Sequence, residues 1–389
     1  MSSHQQAGPL IAIVAGEASG DVLGAALIQA LKKRLPNARF FGVAGPLMEA
    51  AGCETLERID VLSVMGISEV LRHLPRLFKL RAQLLRQIVA RKPDLMIGID
   101  APDFNLSLEQ RVRARGVRTI HYVSPTVWAW REGRVKHVAA AADRVLALFP
   151  FEAPFYQQHD VPVDFVGHPL ADQLAPGDRS AAREQLGLPL DREVVAFLPG
   201  SRAGEVVPLM QRFAAAAGWL QARRPELQFV VPVAKASLRP LIEAAIADQP
   251  RPEQWTLIDG QAQQAMTAAD LVVLASGTAT LECLLLGRPM VVTYTVSPFT
   301  HFLLRGIGML KVRHVSLPNL LCPEPLVPEL LQSEAAPENL GAQVFRYLEQ
   351  AHLRHEQCAA FDLAREQLRC NAAERAADAV IAELQSAGD

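Results

Sequence analysis

The feature that most constrains this 389-residue chain is an alternation that runs along it twice. Short runs of branched apolar residues, each closed by Gly, Pro or a small polar residue, give way to segments with helical spacing. "LIAIVAG" leads into "GDVLGAALIQALKKRL", "ARFFGVAG" into "PLMEAAG" and "DLMIGID" into "NLSLEQRVRARG", with "RTIHYVSP" and "RVLALFP" beyond them. Apolar runs of this length are strands buried on both faces, and a helix after each one returns the chain to a parallel neighbour. The pattern lapses through "FVGHPLADQLAPGDRSAAREQLGLP", where Gly, Pro and charge gather, then restarts with "EVVAFLPG", "LQFVVPVA", "WTLIDG", "DLVVLASG" and "RPMVVTYT". The expected fold class is α/β, with two doubly wound, Rossmann-like domains facing each other across a cleft. Their expected extents are 1–170 and 171–350. A third segment, 351–389, reads as amphipathic and Ala-rich helix, which returns to the first domain or pairs with another subunit.

Composition removes several function classes. A net charge of −2 argues against a globally basic nucleic-acid binder. Five cysteines from Cys53 to Cys370 contain no CxxC pair, so they read as reduced thiols of a cytosolic protein, and no structural metal is expected. The N-terminal apolar run is short, lacks a basic flank and is followed by Glu17 and Asp21, which reads as a first strand and not a signal peptide. No stretch reaches the roughly 18 apolar residues of a spanning helix, so any membrane contact is expected to be peripheral.

The loops after the strands carry the chemistry. "AGEASGD" offers Glu17, Ser19, Gly20 and Asp21, but Gly16, Gly20 and Gly24 are spaced by four, unlike the G-x-G-x-x-G turn that lets a backbone approach a dinucleotide. Ser19 and Asp21 are also ordinary helix-capping residues. "IGIDAPDFN" places Asp100 at a strand end, where a carboxylate can accept a proton from a sugar hydroxyl; Asp103 and Asn105, like Glu17, Ser19, Gly20 and Asp21, are candidates for contact with the acceptor or the cleft, and the first two also read as the cap of the next helix. "YVSPTVWAWREGRVKHV" gathers Trp128, Trp130, Arg131 and His137, either as aromatic packing beside a basic helix or as a wall for a sugar or acyl substrate.

In the second half, "LPGSR" ends a strand with Ser201 and Arg202, whose planar fork suits a diphosphate. "DLVVLASGTATLE" sets Ser276, Gly277 and Thr278 at a helix N-terminus, where unpaired N–H groups attract phosphate, and Glu282 a turn later, within reach of a ribose diol. "VSLPNLL" and "CPEPLVPEL" add Asn319, Glu324 and Glu329 in a Pro-rich loop on the side from which a residue could close over the ligand, and Asn319 is expected to contact the donor UDP.

Taken in order, "VAGEASGDVLGA", "IGIDAPDFN", "YVSPTVWAWR", "VGHPL", "LPGSR", "SGTATLE" and "LPNLL" resemble the lipid A disaccharide synthases, inverting glycosyltransferases of the GT-B architecture, over nearly the whole chain. The resemblance implies transfer of 2,3-diacylglucosamine from UDP to the 6-hydroxyl of 2,3-diacylglucosamine 1-phosphate, releasing UDP. It implies no cofactor and no catalytic metal, a cytoplasmic protein at the inner face of a Gram-negative inner membrane, and Asp100 as the motif acid. Inversion needs one displacement at the anomeric carbon, hence a base for the hydroxyl and charge stabilisation for departing UDP. Asp100 is expected to supply the first, Arg202 and helix N-termini the second.

Because both substrates are acylated, "ISEVLRHLPRLFKLRAQLLRQIVARK" gains interest: Arg72, Leu74, Arg76, Leu77, Phe78, Lys79 and Arg81 form a basic, apolar patch, interrupted by Pro75, suited to an anionic membrane surface. A homodimer through the C-terminal helices is a further expectation. Rival readings are another UDP-sugar enzyme of the same fold, such as a muramyl-type N-acetylglucosaminyltransferase or a UDP-sugar epimerase, a dehydrogenase, and a non-catalytic nucleotide-sugar or lipid binder.

Overall fold

A computed structural model describes residues 8–62, 67–125, 132–295 and 314–386. The chain divides into two compact units, Met1–Asp172 with Leu368–Asp389, and Gln173–Gln367.

In the first unit the strands are β1 (Leu10–Ala15), β2 (Arg39–Ala44), β3 (Cys53–Arg58), β4 (Leu95–Ile99), β5 (Arg118–Tyr122), β6 (Arg144–Ala147) and β7 (Val163–Phe165). They form a parallel sheet in the order β3-β2-β1-β4-β5-β6-β7. The connecting helices are α1 (Ala18–Arg34), α2 (Pro46–Ala50), α3 (Ile67–Arg91), α4 (Pro102–Arg113), α5 (Val135–Ala141), α6 (Glu152–Gln157) and α7 (Pro169–Gln173). The chain builds outward from β1 to β3, then crosses back to place β4 on the other side of β1. The carboxyl ends of β1 and β4 therefore flank the point at which strand order reverses, where open α/β sheets leave a crevice. β1 and β4 are buried almost throughout, as the apolar runs require.

The second unit repeats the plan with α8 (Arg179–Leu186), β8 (Val194–Leu198), α9 (Ala203–Gln221), β9 (Gln228–Val233), α10 (Arg239–Ala247), β10 (Trp255–Asp259), α11 (Ala262–Ala268), β11 (Leu271–Ala275), α12 (Thr278–Leu285), β12 (Met290–Tyr294), α13 (Leu317–Leu321), β13 (Glu329–Leu331), α14 (Pro337–Glu349) and α15 (Ala351–Leu368). Its parallel sheet has the order β10-β9-β8-β11-β12-β13, so the reversal falls between β8 and β11. Phe197, Phe213, Phe229 and Trp255 stack in its core, with neighbouring ring centroids 4.8–5.7 Å apart. Asp270, which opens "DLVVLAS", is spent at the opposite strand ends: it accepts from Val194 N at 2.8 Å and from Arg183 at 2.6 Å, tying α8 to β8 and β11.

The last helix, α16 (Ala372–Gln385), packs on the first unit. Ala376, Ala377 and Val380 join that core, Glu383 pairs with Arg118 and with Arg144 (3.0 Å), and Glu374 pairs with Lys33 and Arg34 (3.0 Å each). Residues 351–367 stay with the second unit, so the returning segment starts at Leu368 and not at 351. The reason lies in α15, where buried Gln357 accepts from Met290 N at 2.8 Å and donates to the carbonyls of Leu326 (2.9 Å) and Met290 (3.2 Å).

The structure also revises the reading of α3. The helix runs unbroken through Pro75, and Leu80, Leu84 and Ile88 fix it to the sheet with Leu77 and Leu85 packed beside them. Leu77 thus belongs to the inner face and leaves the expected patch. Arg76 and Lys79 are exposed, Phe78 is 56% exposed, and the Arg81 guanidinium lies over the rings of Phe78 (5.3 Å) and Phe104 (5.2 Å). The side chains of Arg72 and Leu74 lie outside the described residues.

Candidate active site

At the first switch point the loop after β1 does two jobs. Glu17 caps α1 with extended backbone and an exposed side chain that makes no capping bond; Ser19 is exposed too. Gly20 is buried against Ala15 and Ile99. Asp21, 3% exposed, is absent from the crevice: its carboxylate accepts from the N–H groups of Gly45, Leu47 and Met48, each at 3.0 Å. It caps α2, a neighbouring helix, and not its own. The expectation of Asp21 as a substrate contact is therefore corrected, since all the acceptor capacity it turns toward the protein is spent holding α2 against α1. Gly16 is required by a close approach, because a Cβ there would sit 2.2 Å from the Cβ of Ala101.

Ala101 and Asp100 are the unusual pair of this corner. Both leave β4 with positive φ, 54° at Asp100 and 45° at Ala101, a conformation that costs non-glycine residues on the order of 1–3 kcal/mol and gathers at functional sites. Asp100 N donates to Tyr122 O at 2.9 Å, and the residue is half-buried at the carboxyl end of β4. Neither Asp103 nor Asn105 caps α4, whose N-cap is Ala101 with no side-chain bond. Asp103 is exposed and pairs with Arg134 at 3.2 Å. Asn105 is fully buried and donates to the carbonyls of Val14 (3.2 Å), Ile99 (3.2 Å) and Asp100 (2.8 Å), stitching together the ends of β1 and β4. A substrate contact by its amide nitrogen is excluded by those bonds, which corrects a second expectation. Trp128, Trp130 and Arg131 lie outside the described residues, and His137 is exposed on α5.

The second switch point is an open cavity of about 480 Å³ at the carboxyl ends of β8, β9, β10 and β11. Ser201 and Arg202 come from the loop after β8, Gly260 and Gln261 from that after β10, and Ser276, Gly277 and Thr278 from that after β11. Gly277 adopts φ 152°, ψ −164°, a backbone state reserved for glycine, and turns the chain directly into α12. The first N–H groups of α12 are left without helical carbonyl partners at the cavity. Arg202, with its side chain 80% exposed, is held only loosely at 3.2 Å by Glu205. Glu282, one turn into α12, accepts from Gln263 Nε2 at 3.1 Å. Gly260 and Gln261, both with positive φ (64° and 53°), were missed in the sequence, although "DG" closing an apolar run is a turn signal.

Asn319 does not join this cavity. It is 7% exposed, donates to Val327 O at 2.8 Å and Glu329 Oε1 at 2.9 Å, and accepts from Val327 N at 2.9 Å. Glu329 also accepts from Val315 N, Ser316 N and Ser316 Oγ, so the Pro-rich loop is a self-contained knot. The expected donor contact by Asn319 is corrected on that ground, and Glu324 is exposed. Ser276 Oγ is likewise turned inward, donating to Val315 O at 3.0 Å.

Two Rossmann-like units in one chain match the GT-B fold, and solved structures agree. The calicheamicin glycosyltransferase CalG4 superposes with a TM-score of 0.61 at 15% identity, over 98% of this chain and 100% of that one. The UDP-GlcNAc 2-epimerase of Neisseria meningitidis, solved with UDP-GlcNAc bound, gives 0.63 at 12% identity, over 96% and 99%. Sequence comparison is narrower. The family model described as Lipid-A-disaccharide synthetase matches residues 11–380. A lipid-A-disaccharide synthase of Chromohalobacter salexigens is 51% identical over 95% of this chain and 96% of its own length, and one of Klebsiella pneumoniae is 49% identical over 95% and 97%. The chain belongs to the lipid-A-disaccharide synthetase family.

Proposed function

We infer that the chain is a glycosyltransferase that condenses UDP-2,3-diacylglucosamine with 2,3-diacylglucosamine 1-phosphate, giving the β-1,6-linked lipid A disaccharide 1-phosphate and UDP. The observation that carries the assignment of parts is the contrast between the two switch points: an aspartate on strained backbone at one, an open cavity at a helix N-terminus with an exposed guanidinium, paired only with Glu205, at the other. The UDP of the donor belongs at the second. Its diphosphate meets Arg202 and the N-terminus of α12, and its ribose meets Glu282. Asp100 takes the proton of the acceptor 6-hydroxyl as that oxygen bonds to the anomeric carbon. The carbon–oxygen bond to UDP breaks in the same inverting step, and its electron pair leaves on the diphosphate. No metal is assigned a part, so EDTA is expected to leave the rate unchanged.

Peripheral contact with an anionic membrane is part of this reading. No described helix is long and apolar enough to cross a membrane, whereas exposed Phe78 between Arg76 and Lys79 suits the head-group boundary. Binding to anionic vesicles that weakens on Phe78→Ser supports it, and failure to bind at low salt removes it. A homodimer that exchanges α16 between copies is tested by the mass in solution.

The deciding assay supplies purified protein with both acylated substrates and follows UDP. Release that depends on the acceptor is expected. Release without acceptor, or interconversion of UDP-sugars, would transfer the chain to the epimerase-like reading.

A further inference from the structure

The reaction above has no use for Glu109 and His121. Both side chains are wholly buried, with Glu109 Oε1 2.8 Å from His121 Nδ1. Burial pushes the Glu109 carboxyl upward, against the pull of His121 beside it. Glu109 Oε2, His121 Nε2 and Asn105 Oδ1 have no hydrogen-bond partner among the described residues. An ionisable pair buried in this state costs stability, and well-packed apolar groups of similar volume commonly do as well or better. Stability alone therefore gives no reason for the pair.

Its position does. His121 is the β5 residue paired with Gly98 of β4. Gly98 makes room for the pair, since a Cβ there would lie 1.9 Å from Glu109 Oε1 and 3.1 Å from the Cβ of Asn105. Glu109 stands one helical turn after Asn105 on α4, so both turn the same face of that helix to β4. The residue after His121 is Tyr122, whose carbonyl accepts the N–H of Asp100, and Asn105 donates to the carbonyl of Asp100. Both backbone polar groups of Asp100 are thus held by neighbours of the buried pair, in a turn where Asp100 and Ala101 both take positive φ.

We propose that the Glu109–His121 pair locks α4 to β5 in the register that lets Asn105 and Tyr122 hold Asp100 in place for proton abstraction. The proposal rests on the reading of Asp100 as the base. Glu109, His121 and Asn105 are positioning residues: none touches substrate, and each acts through the Asp100 backbone. Misplacing a catalytic group by a fraction of an ångström to an ångström is enough to cost about one to two powers of ten in rate.

The test replaces the pair with apolar groups, Glu109→Leu with His121→Phe, in the full-length protein. The expected result is a protein melting no lower than the parent, with kcat down about ten- to a hundredfold and KM for the acceptor unchanged. Glu109→Gln, which keeps a partner for His121, is expected within about threefold of parental kcat. A stable apolar variant with parental kcat would overturn the proposal. Should that variant fail to fold, Asn105→Ser decides: a lowered kcat at constant KM supports the proposal, and parental kcat overturns it. Combining Asn105→Ser with Asp100→Asn is expected to add less than about twofold to the loss from Asp100→Asn alone, because the two act as one unit. Full additivity overturns the proposal. If Asp100→Asn is inactive while the apolar pair is fully active, only this inference falls; if Asp100→Asn is itself near parental activity, the base assignment falls and takes the inference with it.

Discussion

The two switch-point corners are built from the same βα plan and finished in opposite ways. In the first, the buried groups are committed: Asp21 to three N–H groups, Asn105 to three carbonyls, Gly16 to the contact with Ala101, and Asp100 to a backbone conformation it would not choose alone. In the second, Ser201, Arg202, Gly277 and Thr278 are exposed and Arg202 has only a local partner, while Ser276 Oγ alone of the corner's hydroxyls is turned inward. The difference suits the two tasks proposed for them. A group that must be ready to remove a proton is held before the substrate arrives, because reorganisation during reaction costs rate. A surface that must grip a charged, hydrated diphosphate keeps donors free until the ligand satisfies them.

The sharpest way to break this contrast is Asp100→Asn. Turnover should fall by about two to four powers of ten, the range of general base catalysis, with UDP affinity at the parental value by calorimetry. A loss within threefold would leave the first corner as scaffold only. Next in size is Asp21→Ala, which strips three charge-assisted hydrogen bonds from the start of α2. Hydrogen bonds to charged groups contribute about 1.5–3 kcal/mol each and do not add fully, so a loss of roughly 3 kcal/mol or more in denaturant unfolding is expected. An Asp21→Ala protein of parental stability but poor acceptor affinity would return Asp21 to the substrate.

Those two residues mark what the sequence carried and what it did not. Ten of the thirteen described strands, their parallel class and the loops that follow them were legible, because buried apolar runs and glycine-containing turns are local signals, whereas the mostly half-buried β3, β7 and β13 were not. The commitments were not. Nothing local says that Asp21 caps a helix starting at Pro46, or that Asn319 folds back on Glu329, since a residue type declares its hydrogen-bonding capacity and not its partner. Motif membership pointed to Asp21, Asn105 and Asn319 as site residues; the structure gives them work inside the protein that a site needs equally. Glu109 and His121 were harder still, lying twelve residues apart in a helix and a strand that meet only in the folded sheet. Leu77 was misread as surface because a basic, apolar stretch has the same letters whichever face turns inward.

The second corner is tested by ligand and not by fold. Arg202→Ala should weaken UDP by about ten- to a hundredfold, the value of one charge-assisted contact, leave uridine binding within twofold, and leave the melting temperature in place, because the side chain is exposed. Equal losses for UDP and uridine would move Arg202 away from the diphosphate.

The smallest expected effect concerns Glu282, the residue proposed for the ribose, which lies beyond the lining of the cavity itself. Glu282 sits on α12 one turn beyond Gly277, and Gln263 Nε2 donates to its Oε2 at 3.1 Å, which steadies one carboxylate oxygen. Glu282→Gln should reduce UDP and uridine binding alike, by about tenfold, since the contact lies with the sugar both ligands share. Gln263→Ala removes only the brace. Its side chain is exposed, so the lost hydrogen bond is worth about 0.5–1 kcal/mol, and both ligands should weaken by roughly threefold with no change in turnover at saturating donor. A Gln263→Ala protein that loses UDP but not uridine would show that Glu282 serves the phosphate end, and the open corner would then have to be read as a single anion site.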